Sequence, residues 1–230
     1  MLNPHEGHRG RSRDEFLKSG ENFPEHRILE ILLYYSIPRA DTNVIAHGLM
    51  DRFGCISSIF DAPYELLREV EGIGESSATL IKLVSTLICK YMDDYTATHN
   101  NIHTTSDAKE YMRYKFLCQP VECVYMVCIG ANGKVGFCDT ISEGSPETVQ
   151  IRSVDVIRKA LLTKAVRVVL AHNHPNGICN PSSSDLRTTN ILFEELRRVD
   201  IELFDHIIVA PDGTCSMKER GFFPKTSFNH

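Results

Sequence analysis

A short apolar run that ends in two histidines constrains this chain more than any other feature. Residues 165–170 (AVRVVL) are mostly apolar and β-branched, which is typical of a buried strand. Pro175 cannot continue a central strand, so the strand must end before it. Because side chains alternate between the two faces of a strand, His172 and His174 should point the same way. The pattern predicts two neighbouring imidazoles at the end of a buried strand.

A carboxylate follows the two histidines at short range. Gly177 and Pro181 indicate a turn-rich loop, and residues 182–199 carry apolar side chains at helical spacing. Asp185 therefore falls in the first turn of a predicted helix, from which it can face back toward the histidines. Two histidines and one aspartate are three protein ligands, and a catalytic zinc site uses three and leaves a fourth position for water. The spacing predicts a zinc hydrolase.

Simpler interpretations of the same residues remain open. Ser182 and Asp185, three residues apart, also have the pattern of a helix cap with an acidic first turn, which needs no metal. His172 and His174 could belong to a hydrogen-bonded loop. Cys179, between the histidines and Ser182, is an alternative metal ligand.

The combined pattern H-x-H-P-x-G followed by S-x-x-D resembles the signature of the JAMM (MPN-plus) metalloproteases. Within that group the chain resembles the bacterial RadC family over roughly residues 20–220. Four further segments carry this resemblance, namely residues 37–43 (IPRADTN), 71–74 (EGIG), 158–161 (RKAL) and 205–209 (DHIIV). The resemblance implies an α+β chain in which an all-helical domain with a helix-hairpin-helix motif precedes an α/β MPN domain.

The resemblance also implies a role for each site residue. His172, His174 and Asp185 would bind Zn²⁺, Ser182 would polarise the substrate carbonyl, and a glutamate on an earlier strand would act as the general base. The implied reaction is hydrolysis of a peptide or isopeptide amide bond by a zinc-activated water. The substrate itself is not implied.

Glu122 is the best candidate for the general base. It is the only charged residue in the apolar run 121–129, and a carboxylate at the mouth of a buried strand is costly without a partner or a function. It also matches the position of the family's glutamate. Glu122 could instead mark an exposed strand end, and Glu143 and Glu147 are then the alternative bases.

Two other functional classes stay open beside the peptidase. One is a DNA-associated accessory protein of repair or recombination, and the other is a catalytically silent MPN scaffold. Motifs of other enzyme classes are missing from the sequence: it has no H-E-x-x-H, C-x-x-C, G-x-S-x-G or phosphate-binding G-x-x-x-x-G-K.

The secondary-structure pattern predicts two domains, residues 1–98 and 104–226, joined by the polar stretch 93–106. Helices are predicted at 27–36, 41–53, 62–70, 76–92, 106–117, 153–164 and 183–199. Strands are predicted at 121–129, 134–142, 165–172 and 201–210, with a short strand after residues 211–213. This order fits a mixed sheet flanked by helices.

The first domain contains a candidate nucleic-acid contact at Gly72-Ile73-Gly74. In a helix-hairpin-helix, the backbone N–H groups of such a turn face a phosphate. The alternative is a plain helical turn that packs or binds protein. Residues 1–100 hold 10 Lys and Arg against 15 Asp and Glu, and phosphate binding depends on cations. Any DNA contact is therefore predicted to be weak.

Composition indicates a cytoplasmic protein without a membrane association. No apolar run approaches the roughly 20 residues of a membrane span, and residues 3–13 are too polar for a secretory signal. The 8 cysteines are scattered through apolar segments of the sequence, which favours reduced, buried thiols over a disulfide framework.

Overall fold

The computed structural model describes residues 4–143, 151–175 and 177–223, and the chain divides into two compact units, Met1–Lys90 and Tyr91–His230. The predicted domain ranges 1–98 and 104–226 place the division slightly later and stay a prediction. Each unit has its own buried core, and each is described by itself below.

The first unit is helical. Its described elements are α1 (Pro4–Ser19), a short 3₁₀ helix (Gly20–Asn22), α2 (Glu25–Leu33), α3 (Thr42–Phe53), α4 (Ile56–Asp61), α5 (Tyr64–Arg68) and the start of α6 (Glu75–Thr98). The pattern did not predict α1 or α4. Helix α1 is polar on nearly all sides, so it has no apolar stripe for a periodicity argument to detect.

Apolar residues at helical spacing form the core of this unit. Its fully buried members come from α2, α3, α4, α5 and α6, and they include Leu33, Leu49, Ile59, Leu67 and Ile81. Each of these helices buries one face against the others. Such burial stabilises the unit by about 1.5–3 kcal/mol for each large aliphatic side chain.

The turn between α5 and α6 is built on Gly72 rather than Gly74. Gly72 has φ +86°, and a Cβ added to it would lie 2.6 Å from Ile45 Cδ1. Gly74 has no positive φ and has open space where a Cβ would be. Ile73 between them is buried in the core, so its side chain serves packing. DNA contact by the backbone of this turn stays a prediction.

This asymmetry makes a testable prediction about stability. Gly72→Ala should lower the free energy of unfolding by about 1–3 kcal/mol, because it combines left-handed backbone strain with a steric clash. The matched variant Gly74→Ala should change it by less than about 0.5 kcal/mol or raise it slightly. Urea unfolding followed by circular dichroism measures both, and equal effects of the two changes would contradict the structure.

The predicted linker at residues 93–106 is wrong over its first half. Helix α6 continues to Thr98, and the next helix, α7 (Thr105–Phe116), already begins at Thr105. No proline or glycine interrupts residues 93–98. The hydroxyls of Thr96 and Thr98 donate to the Met92 and Asp94 carbonyls one turn earlier, so these polar residues are compatible with the helix. Polarity alone therefore did not identify a loop.

The second unit is a five-stranded mixed sheet with helices on both faces. Its further elements are β1 (Cys123–Ile129), β2 (Val135–Glu143), α8 (Ser153–Leu162), β3 (Arg167–Asn173), α9 (Ser183–Arg197), β4 (Glu202–Ala210) and β5 (Gly213–Ser216). The strand order is β2-β1-β3-β4-β5; β3 and β4 are parallel, and the other pairs are antiparallel. The predicted mixed sheet with flanking helices is confirmed.

Alternation along β3 decides which face carries the site. Val169 and Ala171 pack with α7 on one face, whereas Val168 and Leu170 pack with α8 and α9 on the other. His172 continues the second series and is 2% exposed. The first predicted ligand therefore faces helix α9, which carries Asp185.

An irregularity in β4 sets the orientation of its next residues. Val168 is level with Leu203, but Val169 is level with Asp205, so β4 has one extra residue at this point. Beyond this bulge His206 is level with Leu170 and shares its face. Without the extra residue, His206 would point to the opposite face, because a shift of one residue exchanges the two faces of a strand.

The cysteine prediction is only partly right. Five described cysteines are free thiols, namely Cys55, Cys128, Cys138, Cys179 and Cys215. Cys89 is in a disulfide, and so is Cys118, so the expectation that all thiols are reduced is wrong at these two positions. Among the described residues, no helix is both long and apolar enough to cross a bilayer.

Candidate metal centre

Three side chains converge at the carboxyl end of β3. His172 Nε2 lies 3.0 Å from His174 Nε2 and 3.4 Å from Asp185 Oδ1. One ligand atom from each residue lies within 4.8 Å of the other two. A tetrahedral zinc with bonds of about 2.0–2.1 Å holds its ligand atoms roughly 3.3–3.4 Å apart. The donor set and its spacing therefore fit a zinc ion.

His174 is oriented by the loop that follows it. Its Nδ1 lies 2.9 Å from the Ile178 carbonyl oxygen, which can only accept, so Nδ1 carries the proton. The lone pair is then on Nε2, the atom that faces His172. This is the backbone partner that a metal-binding histidine commonly has.

The two oxygens of Asp185 have different partners. Oδ2 accepts from the backbone N–H and the hydroxyl of Ser182, both at 2.7 Å, while the Asp185 N–H donates back to Ser182 Oγ. This is a capping box at the start of α9. The simple capping interpretation is thus right, and it leaves Oδ1 for the site.

The same contacts set the charge of Asp185. Burial alone would raise its pKa, but the hydrogen bond and the charge of His172, together with the Ser182 donors, hold the pKa well below its usual range. The carboxylate is therefore ionised at neutral pH, as a metal ligand must be.

A third histidine lies behind the ligands. His172 Nδ1 is 2.9 Å from His206 Nε2, and His206 Nδ1 is 2.6 Å from Thr189 Oγ1. Complete burial, followed by the charge of His172, lowers the pKa of His206 to about 3. His206 is therefore a neutral imidazole at pH 7, with one donor and one acceptor nitrogen.

A small cavity adjoins the ligands. Its volume is about 30 Å³, and His172, Asp185, His206 and Ser142 contribute to its lining. The buried Ser142 hydroxyl has no hydrogen-bond partner among the described residues. The cavity is polar and large enough for a water molecule.

Comparison with known proteins decides the family. The family model of the RadC-like JAB domain matches residues 102–222, more than half of the chain. A UPF0758 protein of Fusobacterium nucleatum subsp. nucleatum is 30% identical over 227 residues, covering 94% of this chain and 97% of the relative.

The chain belongs to the RadC family. Two further relatives are also UPF0758 proteins. That of Acinetobacter baumannii is 28% identical over 94% of this chain and 93% of its own length. That of Paraburkholderia xenovorans is 25% identical over 91% of this chain and 83% of its own length. The resemblance seen in the sequence is therefore confirmed at the level of the family.

In this RadC-family chain, Glu122 lies directly before β1 and is partly buried. Burial raises its pKa, and the charges of His174 and His172 lower it while that of Asp185 raises it. Glu122 is thus electrostatically coupled to all three predicted ligands. A raised carboxyl pKa suits a group that must accept a proton near neutral pH.

Asn173, which lies between the two histidines, is a positioning residue that the motif analysis overlooked. Its side chain is buried, and its Oδ1 accepts from the Cys123 N–H at 2.8 Å. Its Nδ2 donates to the carbonyls of Gln119 and Val121 at 3.1 and 3.0 Å. These three bonds tie the end of β3 to the segment that carries Glu122. The signal in the sequence was an amide side chain directly after the predicted strand 165–172 and between the two predicted ligands.

The structure gives less support to the roles of the remaining predicted residues. Ser182 is exposed, and its hydroxyl donates to Asp185 Oδ2, so a role toward substrate needs that proton to turn away from Asp185. Cys179 donates to the Ile208 carbonyl, and burial raises its pKa to about 12, which disfavours a thiolate ligand. Glu143 is the last residue of β2, and Glu147 lies outside the described residues.

Proposed function

We propose that this RadC-family chain is a zinc-dependent metallopeptidase or isopeptidase of the JAMM type, which hydrolyses an amide bond. The observation that carries the proposal is the convergence of His172 Nε2, His174 Nε2 and Asp185 Oδ1 within ligand distance of one another. Three protein ligands leave a tetrahedral metal one open position, which is the arrangement of catalytic rather than structural zinc.

The residues around the ligands support hydrolysis rather than storage of a metal. Bound zinc would supply a Lewis acid that makes water available as a nucleophile near neutral pH. Glu122, coupled electrostatically to the ligands, would remove the proton from the attacking water and deliver it to the leaving amine. The Ser182 hydroxyl, after turning from Asp185, would donate to the oxyanion that develops on the substrate carbonyl.

Two other proposals remain separate from this one. A silent MPN scaffold would need no ligand set, and an intact set of His172, His174 and Asp185 favours the enzyme. DNA contact through the backbone of Gly72 to Gly74 would concern the first unit only, and the acidic residues Glu71 and Glu75 beside the turn predict weak binding.

A cleavage assay with chelation tests the proposed function. We expect the full-length zinc-loaded protein to cleave members of a library of internally quenched peptides or isopeptide-linked peptide pairs. Cleavage should stop when 1,10-phenanthroline removes the metal and return when zinc is added. Cleavage that survives chelation, or that a His174→Ala variant retains, would contradict the proposal.

A further inference from the structure

A continuous chain of buried hydrogen bonds connects the ligand His172 to the backbone of the helix that carries the ligand Asp185. His172 Nδ1 contacts His206 Nε2, His206 Nδ1 contacts Thr189 Oγ1, and Thr189 Oγ1 contacts the Asp185 carbonyl oxygen at 2.6 Å. His172, His206 and Thr189 are each at most 2% exposed. These side chains are therefore shielded from bulk solvent.

The last contact decides which atom donates in each of these hydrogen bonds. The Asp185 carbonyl can only accept, so at 2.6 Å the single hydroxyl proton of Thr189 must point at it. Thr189 Oγ1 then has only lone pairs to offer His206. His206 Nδ1 must therefore donate, which leaves an acceptor lone pair on His206 Nε2.

The direction of these hydrogen bonds also fixes the proton position on the predicted ligand His172. Because His206 Nε2 accepts, His172 Nδ1 must carry a proton and donate it. With the proton on Nδ1, the nitrogen left for a metal is Nε2, the atom that faces His174 and Asp185. In the reverse direction, His206 Nε2 would donate to His172 Nδ1, and the proton on His172 Nε2 would block a metal bond.

The fold places His206 for this contact through the bulge in β4. The extra residue between the partners of Val168 and Val169 returns His206 to the face of Leu170 and His172. Bulges of this kind re-aim a side chain next to a functional site. Thr189, one turn after Asp185 on α9, faces the same point.

We infer that Thr189 and His206 are positioning residues that hold His172 in its Nδ1–H tautomer, so that Nε2 presents its lone pair to a metal. This inference rests on the proposed function, because the tautomer of His172 matters for activity only if the site binds a metal. Its hydrogen-bond geometry can be tested without metal.

The tautomers can be read directly by nuclear magnetic resonance. In full-length metal-free protein labelled with ¹⁵N-histidine at pH 8, long-range ¹H–¹⁵N spectra should show both His172 and His206 protonated on Nδ1. Free histidine prefers protonation on Nε2, so this result is diagnostic. Thr189→Val should shift His206 and His172 toward Nε2–H, while Thr189→Ser, which keeps the hydroxyl, should not. Wild-type His172 protonated on Nε2 and not on Nδ1 would overturn the inference without any variant.

Zinc affinity supplies the second readout. Thr189→Val and His206→Phe should each weaken zinc binding about 10- to 100-fold, as is typical for residues behind metal-binding histidines. Thr163→Val is the matched control, because the Thr163 hydroxyl makes the same kind of bond to the carbonyl four residues earlier, that of Lys159 at the end of α8. Competition with a chromophoric chelator measures each affinity.

The outcomes separate this inference from the proposed function. If wild-type protein binds zinc and Thr189→Val binds it equally tightly, the positioning role is wrong while the metal site stands. If wild-type protein binds no zinc but His172 and His206 are both protonated on Nδ1, the hydrogen-bond directions are right and the peptidase proposal fails.

Discussion

Replacing His174 or Asp185 with alanine is expected to reduce bound zinc from about one ion per chain to a small fraction of that. Each change removes one of three converging ligands, and Asp185→Ala also removes the only negative charge among them. The two ligands that remain in either variant do not complete a zinc site. Elemental analysis of protein purified without chelators measures the loss.

The matched controls for this prediction lie on the surface. His103→Ala and Asp94→Ala change the same residue types at exposed positions and should leave the zinc content unchanged. If either ligand variant kept as much zinc as these controls, the site assignment would be wrong. Because Asp185 also caps α9, Asp185→Asn is a useful companion that retains an acceptor for Ser182.

Glu122→Gln should retain zinc and lose nearly all turnover, by about 10²- to 10⁴-fold in kcat. Glutamine has the same shape as glutamate but cannot accept the proton of the attacking water. Glu194→Gln, an exposed change on α9, is the control and should leave both properties unchanged. Elemental analysis and the chelator-sensitive cleavage assay give the two readouts on the same samples.

The choice of base is tested by the alternatives named from the sequence. If Glu122→Gln remained fully active while Glu143→Gln or Glu147→Gln lost turnover, the general base would be misassigned. If Glu122→Gln lost its zinc, Glu122 would be a ligand or a structural support rather than the base.

Strong periodicity made most of the fold predictable. The apolar run before His172 and the helical spacing after Ser182 placed β3 and α9 correctly, because β3 is buried on both faces and α9 on one. Both elements bring the predicted ligands to the same edge of the sheet, as the spacing in the sequence predicts.

The remaining features depend on tertiary contacts that spacing does not encode. Helix α1 lacks an apolar stripe, and residues 93–98 are polar yet helical. His206 belongs to the segment 205–209, but its sequence does not show that the bulge in β4 turns it toward His172. Asn173 is the unspecified residue of the H-x-H pattern, although its amide is hydrogen-bonded to the segment before β1.

Anomalous diffraction at the zinc absorption edge tests the central claim most directly. Crystals of the full-length wild-type protein, grown from material purified without chelators, should show one strong anomalous peak bonded to His172 Nε2, His174 Nε2 and Asp185. Data collected just below the edge should lose that peak, which identifies the element. A peak elsewhere in the chain, or none at these three residues in protein to which zinc has been added, would contradict the assignment of a zinc-dependent hydrolase.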